Sequence, residues 1–237
     1  MARASLYDRM ARAYEELFPV RSDFITLLTE LVPAGARVLD VACGPGHYAR
    51  ALSDRYDMSA TDINVSMIKS AAAHGKVSFH TRGFAEIAAI PGPFACVYSI
   101  GNSLSYLPTD QLPTFLESAR KILLPDGLLL LHTVNWDAFL RTGKMEFEEK
   151  TLMDGTRFRR AYEKVNAGIV LFHTWLETGN ESCHWQDPLH PKPSAAVSAR
   201  LRETGFTVEK HFGAYDKTPF NSHGSPVSIF VARKPSE

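Results

Sequence analysis

Cysteine is scarce in this chain. Only Cys43, Cys96 and Cys183 occur in 237 residues, and no two form a C-x-x-C pair. An odd, dispersed set argues against a disulfide framework and for a reducing compartment. Charge of one sign is also lacking: 26 Lys and Arg balance 26 Asp and Glu, for a formal net charge of zero. Composition therefore gives no sign of a standing nucleic-acid or anionic-membrane partner. No apolar run approaches the ~18 residues that span a bilayer. The stretch Met1 to Arg9 is charged and polar and has no signal-peptide core. The expectation is a cytoplasmic protein without nucleic-acid or membrane partners, a monomer or homodimer. Apolar residues make up 45%, enough for a substantial core. The length suits one large domain or two small ones; one domain over 1–237 is expected.

The most informative stretch is Val38-Leu-Asp-Val-Ala-Cys-Gly-Pro-Gly46, followed 16 residues later by Asp62. The apolar run reads as a buried strand that ends at Asp40 and a Gly-Pro-Gly turn. Glycine in such a turn lets a ligand approach the backbone closely. An acidic residue ending a second strand binds ribose hydroxyls, so the pair predicts an adenosine-containing ligand. Gly44-Pro-Gly46-His-Tyr-Ala49 matches the dinucleotide fingerprint G-x-G-x-x-[GA], a weak signal alone. In a dinucleotide site a helix N-terminus meets a pyrophosphate. Here Asp40 would repel a pyrophosphate and attract an ammonium. S-adenosylmethionine has an ammonium, a sulfonium and a ribose but no phosphate, and it is the favoured cofactor over NAD.

Apolar spacing predicts helices over 5–18 and 22–32. Strands follow at about Arg37 to Ala42, Met58 to Thr61, Val77 to Thr81, Pro93 to Ile100 and Leu128 to Val134. Helices over Ser66 to His74 and Thr109 to Leu124 alternate with them. The alternation predicts an α/β doubly wound parallel sheet. After residue 143 the pattern changes. Met145 to Met153, Arg157 to Val165 and Ile169 to Leu176 read as strands separated by hairpin turns. They predict an antiparallel β insertion over 144–190 that covers the substrate, with residues 1–34 as an N-terminal helical lid. A helix over Ser194 to Thr204, capped by Gly205, leads to strands Phe206 to Phe212 and Val227 to Val231. The link between those strands is too short for a crossover helix, so they pair antiparallel.

On these residues the chain resembles the class I S-adenosylmethionine-dependent methyltransferases, and within them the glycine N-methyltransferase-like small-molecule group. Besides the first motif, Ile100-Gly-Asn-Ser-Leu-Ser-Tyr-Leu107 and Asp126-Gly-Leu-Leu-Leu-Leu-His-Thr-Val-Asn-Trp-Asp137 carry the likeness. It covers about 5–140 and returns over 201–234. The resemblance implies a Rossmann-like sheet of order 3-2-1-4-5-7-6 with strand 7 antiparallel. It also implies that Asp40 and the backbone of Ala42, Gly44 and Gly46 hold the methionine part of the cofactor and Asp62 the ribose. Ile63 and Met67 would pack the adenine, and Arg21 would pair with the cofactor carboxylate. Tyr7 and Tyr14 would sit in a closing N-terminal helix, and Ile100 and Asn102 beside the transferable methyl. Two departures stand out. Gly83-Phe84-Ala85 replaces a Gly-Asp-Ala whose aspartate meets the adenine amino group, which leaves backbone contacts and stacking. Val134 replaces an arginine that clamps the substrate carboxylate in glycine N-methyltransferases, which argues against free glycine as substrate.

Methyl transfer from a sulfonium is an in-line displacement that needs positioning and exclusion of water, not a metal or a nucleophilic residue. A neutral amine acceptor needs no strong base, whereas an oxygen acceptor calls for one. The expected reaction is transfer to a small-molecule acceptor through an amine nitrogen, with His132, Asn102 and Tyr106 as candidate catalytic residues. The alternatives are an O-methyltransferase using His132 as base, and a cofactor-binding module without turnover. His132 reads equally well as a hydrogen-bonded core residue. Tyr106, Asn135 and Trp136 are candidates to line the acceptor pocket, and Trp136 reads equally well as plain packing. Arg157, Arg159 and Ala161 fall on one face of their strand, and Phe158, Arg160 and Tyr162 on the other. Cys183, His184 and His190 lack the spacing of a zinc site.

Overall fold

A computed structural model describes residues 13–72, 76–166, 168–179 and 181–236. Tyr7 and most of the expected first helix lie outside them. The elements are α1 (Tyr14–Leu17), α2 (Ser22–Leu31), β1 (Arg37–Val41), α3 (His47–Leu52), β2 (Asp57–Thr61), α4 (Val65–Ala72), β3 (Ser78–His80), β4 (Phe94–Ser99), α5 (Leu112–Ile122) and β5 (Leu123–Val134). They continue with α6 (Trp136–Thr142), β6 (Lys144–Glu146), β7 (Lys150–Thr151), β8 (Arg157–Lys164), β9 (Val170–Thr178), β10 (Glu181–Leu189), α7 (Ser194–Glu203), β11 (Thr207–Phe212) and β12 (Val227–Arg233).

Seven strands form one sheet in the order β11-β12-β5-β4-β1-β2-β3. The strands β1 to β5 run parallel, and β12 runs antiparallel to both β5 and β11. This is the expected order with its reversed strand. The near-continuous apolar runs are explained by cover on both faces. Val38, Tyr98, Leu130 and Ile229 pack with α2 residues Phe24, Leu27 and Leu28. Leu39, Val97, Leu129 and Phe230 pack on the other side with Phe115 and Leu116 of α5 and Leu201 of α7. α5 buries Leu112, Phe115, Leu116, Ala119 and Ile122, one helical stripe, and holds Pro113 in its first turn, where no intrahelical N–H is needed. β5 starts earlier than its apolar run. Leu123 already pairs with Phe94, and the exposed Leu124-Pro-Asp126 segment, with buried Gly127, makes an excursion before the ladder resumes at Leu128.

A second, five-stranded antiparallel sheet follows α6, with β10-β9-β8-β6 in order and β7 pairing β8. The expected strand over 145–153 is two short ones. Glu146 faces Ala161, but Lys150 faces Phe158. One extra residue therefore sits in this edge, a β-bulge. β10, running to Leu189, extends the insertion beyond its three expected strands. The chain rejoins the main body at one place: His190 N donates to Ser105 O at 2.7 Å, and buried Lys192 Nζ donates to Leu107 O at 2.7 Å and His190 O at 2.8 Å. Burial pushes the Lys192 ammonium down to about 8.

Candidate active site

The glycine turn after β1 is left-handed at three points: Ala42 at φ 61°, Gly44 at φ 56° and Gly46 at φ 74°. Ala42 has a Cβ and tolerates this region only where its surroundings enforce it. Gly46 has no alternative residue, since a Cβ there would lie 2.5 Å from the Phe79 ring. Gly44 N donates to Asp62 Oδ2 at 2.8 Å, and Asn64 N to Asp62 Oδ1 at 2.8 Å. The two motifs found far apart in sequence thus meet, with Asp62 bracing the turn. Burial raises the Asp62 carboxyl above its usual range, against these N–H donors.

Asp40 sits at the end of β1, 2% exposed. Burial pushes its carboxyl up to about 8; the Tyr98 hydroxyl pulls the other way and the Asp62 charge adds to the rise. No cation among the described residues offsets that shift. A buried carboxyl in this condition is stabilised by a positively charged ligand.

Asp40 opens into a cavity of about 570 Å³, in the range of small-molecule sites. Tyr14, Arg21, Ala42, Ile100, Asn102, Tyr106 and His132 share its lining. The remaining expected cofactor residues, Gly44, Gly46, Asp62, Ile63, Met67, Phe84 and Ala85, lie outside that lining. Met67 is buried, while Ile63 is 74% exposed. Phe84 turns its ring onto Phe115 at 4.9 Å, so its side chain belongs to the core and leaves only its backbone for an adenine. Arg21 lines the cavity but forks onto Asp23, at 3.0 and 2.5 Å. Asn135 and Trp136 do not line the pocket. Asn135 caps α6 and donates to the 221–225 turn, and Trp136, fully buried, donates to Ser105 Oγ at 2.9 Å. The sequence places Asn135 at the pocket, and Trp136 there or in packing, because nothing in it announces α6 after β5.

Gly101 N donates to His132 Nδ1 at 3.1 Å. A backbone N–H only donates, so Nδ1 is an acceptor and the neutral ring carries its proton on Nε2. Burial, with a contribution from Arg21, pushes this imidazole down to about 4. It stacks on Tyr215 at 5.2 Å. Asn102, left-handed at φ 67°, is equally committed. Its Oδ1 accepts from Ser105 Oγ at 2.8 Å and Val134 N at 3.2 Å, and its Nδ2 donates to Tyr162 of the insertion at 3.1 Å.

The insertion forms the opposite wall with Phe147, Phe158, Tyr162 and Phe172. The alternation along β8 is as expected: Phe158, Arg160 and Tyr162 face the cavity, whereas Arg157 and Arg159 meet Glu149 and Glu177 on the outer face. Cys183 and His184 lie on opposite faces of β10, and His184 Nε2 meets His173 Nδ1 at 3.1 Å. Several lining residues escaped sequence reading: His47 and Tyr48 on the glycine-turn helix, Tyr215 after β11, and Lys150. The aromatic residues at helix and loop starts carried no periodic signal; Lys150 was hidden by the bulge.

Residues 38–127, which span the glycine turn, Asp62 and the loop after β4, match a family described as a methyltransferase domain. Over that stretch the chain is similar to S-adenosylmethionine-dependent methyltransferases. A putative methyltransferase, YqeM, of Bacillus subtilis is 28% identical over 134 residues, covering 53% of this chain and 54% of that one. A ubiquinone biosynthesis O-methyltransferase of Xylella fastidiosa is 31% identical over 126 residues, covering 50% and 49%. The chain thus spans about half the length of the curated relatives it matches. Among solved structures, the CcbJ methyltransferase of Streptomyces caelestis superposes with a TM-score of 0.82 at 20% identity, covering 98% of this chain and 99% of that one; at that identity the likeness is one of fold. These comparisons reach the methyltransferase class and not the glycine N-methyltransferase-like group. The cofactor of the class is S-adenosylmethionine, and the buried Asp40 carboxyl fits its cationic amino-acid end.

Proposed function

We propose that this methyltransferase transfers a methyl group to a nitrogen of a small-molecule acceptor held between the sheet edge and the insertion. The observation that carries this reading is the continuity of one cavity from buried Asp40 to the aromatic wall of the insertion. S-adenosylmethionine, when bound, supplies an already activated methyl on sulfur. The protein's part is to bind, orient and exclude water.

Asp40 would take the ammonium, the left-handed backbone at Ala42 and Gly44 would approach the methionine part, and Asp62 would take the ribose. Exposed Ile63 and buried Met67 would flank the adenine. Ile100 and the Gly101-Asn102 turn stand beside the acceptor. Nitrogen is favoured over oxygen by His132. Its Nδ1 is occupied by the Gly101 N–H and its Nε2 carries the proton, so the neutral ring has no lone pair to remove a proton from a hydroxyl. A neutral amine needs none. On this reading His132 holds the Gly101 turn in place, and Tyr106 lines the acceptor side.

Calorimetry with S-adenosylmethionine and S-adenosylhomocysteine, followed by S-adenosylhomocysteine release across amine and hydroxyl acceptors, tests the proposal. Binding with turnover of amines is expected. No binding at millimolar cofactor defeats it, and binding without turnover of any acceptor identifies a module that only holds the cofactor. Turnover of hydroxyl acceptors abolished by His132→Phe would restore the histidine as a base.

A further inference from the structure

The two ends of the cavity differ in charge. Among the described residues lining it, Asp40 is the only carboxylate, and the groups acting on it are Tyr98 and Asp62, both outside the insertion. The cations on the lining are Arg21, Lys150 and Arg160. Arg21 is engaged by Asp23. Lys150 and Arg160 both come from the insertion.

The bulge in the edge strand puts Lys150 there. Phe147 bonds to Arg160 through its backbone, N to O at 3.1 Å, and faces the cavity. Three residues on, a regular strand would turn Lys150 to solvent. The extra residue reverses that, and Lys150 pairs with Phe158 on the inner face. Arg160 lies over the rings of Phe147 at 4.5 Å, Phe18 at 4.9 Å and Phe158 at 5.4 Å. Lys150 donates to the Leu17 carbonyl and lies 5.4 Å from the Phe18 ring. The two cations are close enough to act on each other. Burial first, then the Arg160 charge, lowers the Lys150 ammonium, with exposed Glu148 opposing.

We propose that the acceptor carries an anionic group, carboxylate or phosphate, on an apolar or aromatic body, and that Arg160 and Lys150 receive that group at the insertion end of the cavity. The identity of this ligand as the methyl acceptor rests on the function proposed above; the anion site itself does not. Val134, on the sheet side, lines the cavity without a charge, and the cationic contact comes from the insertion wall.

The test uses phenylacetate, phenyl phosphate and neutral phenylacetamide as probes, with binding measured by calorimetry on the full chain, with and without S-adenosylhomocysteine. Both anions are expected to bind at least about tenfold tighter than the amide, as charge-assisted contacts do. The preferred anion distinguishes carboxylate from phosphate. The preference should vanish in Arg160→Gln/Lys150→Gln. Lys150→Gln alone, on a two-residue edge strand, serves if the double variant does not fold, and should cut the preference roughly threefold or more. Equal binding of amide and anions, or an undiminished preference in Lys150→Gln, overturns the proposal. Anion preference in a protein that fails to bind S-adenosylhomocysteine upholds the anion site and removes the methyltransferase reading. Cofactor binding without anion preference does the reverse.

Discussion

The two sheets solve different problems with the same kind of backbone. The seven-stranded sheet is buried on both faces, and its site residues sit where strands end: Asp40 near the end of β1, Asp62 after β2, Gly101 after β4, His132 near the end of β5. The five-stranded sheet has one face on the cavity and one in solvent, and its site residues lie along strand interiors, as Phe158, Arg160 and Tyr162 do along β8. Strand ends in a parallel sheet present backbone groups and one or two fixed side chains, a geometry suited to one invariant ligand. A half-exposed antiparallel face presents every second side chain, so single substitutions repaint it. The first arrangement fits a cofactor, the second an acceptor.

The sharpest way to break this contrast is at Asp40. Asp40→Asn should weaken S-adenosylhomocysteine binding by roughly two orders of magnitude, because one partner of a buried charge pair is removed. The same variant should melt higher without ligand. The folded Asp40 carboxyl titrates near 8, against a usual 3.8. Between those values the native state holds a proton that the unfolded chain has lost. Stability from this group is therefore greatest below about pH 4 and falls as pH rises towards 8. Asparagine removes that slope, which calorimetric melts from pH 5 to 8 would show. Cofactor affinity should run the opposite way, rising with pH up to about 8 and then levelling; a flat profile would show that Asp40 is ionised before the ligand arrives.

Gly46→Ala comes next. A left-handed φ and a Cβ 2.5 Å from Phe79 should destabilise the fold by about 2–4 kcal/mol in denaturant titrations. Adding Phe79→Leu should recover part of it. Tyr162→Phe removes the hydroxyl that joins β8 to Asn102, and should cost about 1 kcal/mol of stability while loosening the acceptor side more than the cofactor side. Binding of S-adenosylhomocysteine in this variant should change less than turnover. Arg157→Ala, on the outer face of the same strand, should shift stability by less than about 0.5 kcal/mol and leave turnover intact. A large effect there would mean that the two faces of the insertion are not functionally separate.

The same contrast explains what sequence made legible. Asp40, the glycine turn and Asp62 are local signals whose geometry follows from the residues themselves; alternation and the short final hairpin made the doubly wound sheet and its antiparallel pair legible, whereas the full strand order came only with the family resemblance. The insertion strands and the face carrying Arg160 were also readable, because period-two alternation is local. What Arg160 faces was not, since it depends on Phe18 and Phe147 arriving from elsewhere. Lys150 was missed, because a single inserted residue inverts facing without changing composition. Phe84 was assigned to the cofactor when packing claims its ring, and for Trp136, open between pocket and packing, packing decides: each is a large ring beside a core able to take it, with Phe115 and Tyr162 as the partners. His132 stayed ambiguous until the Gly101 N–H fixed its tautomer.

The insertion leaves the main body after α6 and comes back at His190, tied to the loop that follows β4 through Ser105 and, by way of Lys192, through Leu107. Departure and return share one edge, so the sheet's threading is indifferent to what is spliced between them. A different antiparallel module of any length could be seated at the same doorway, with a new clientele, while the nucleoside end went on working as before.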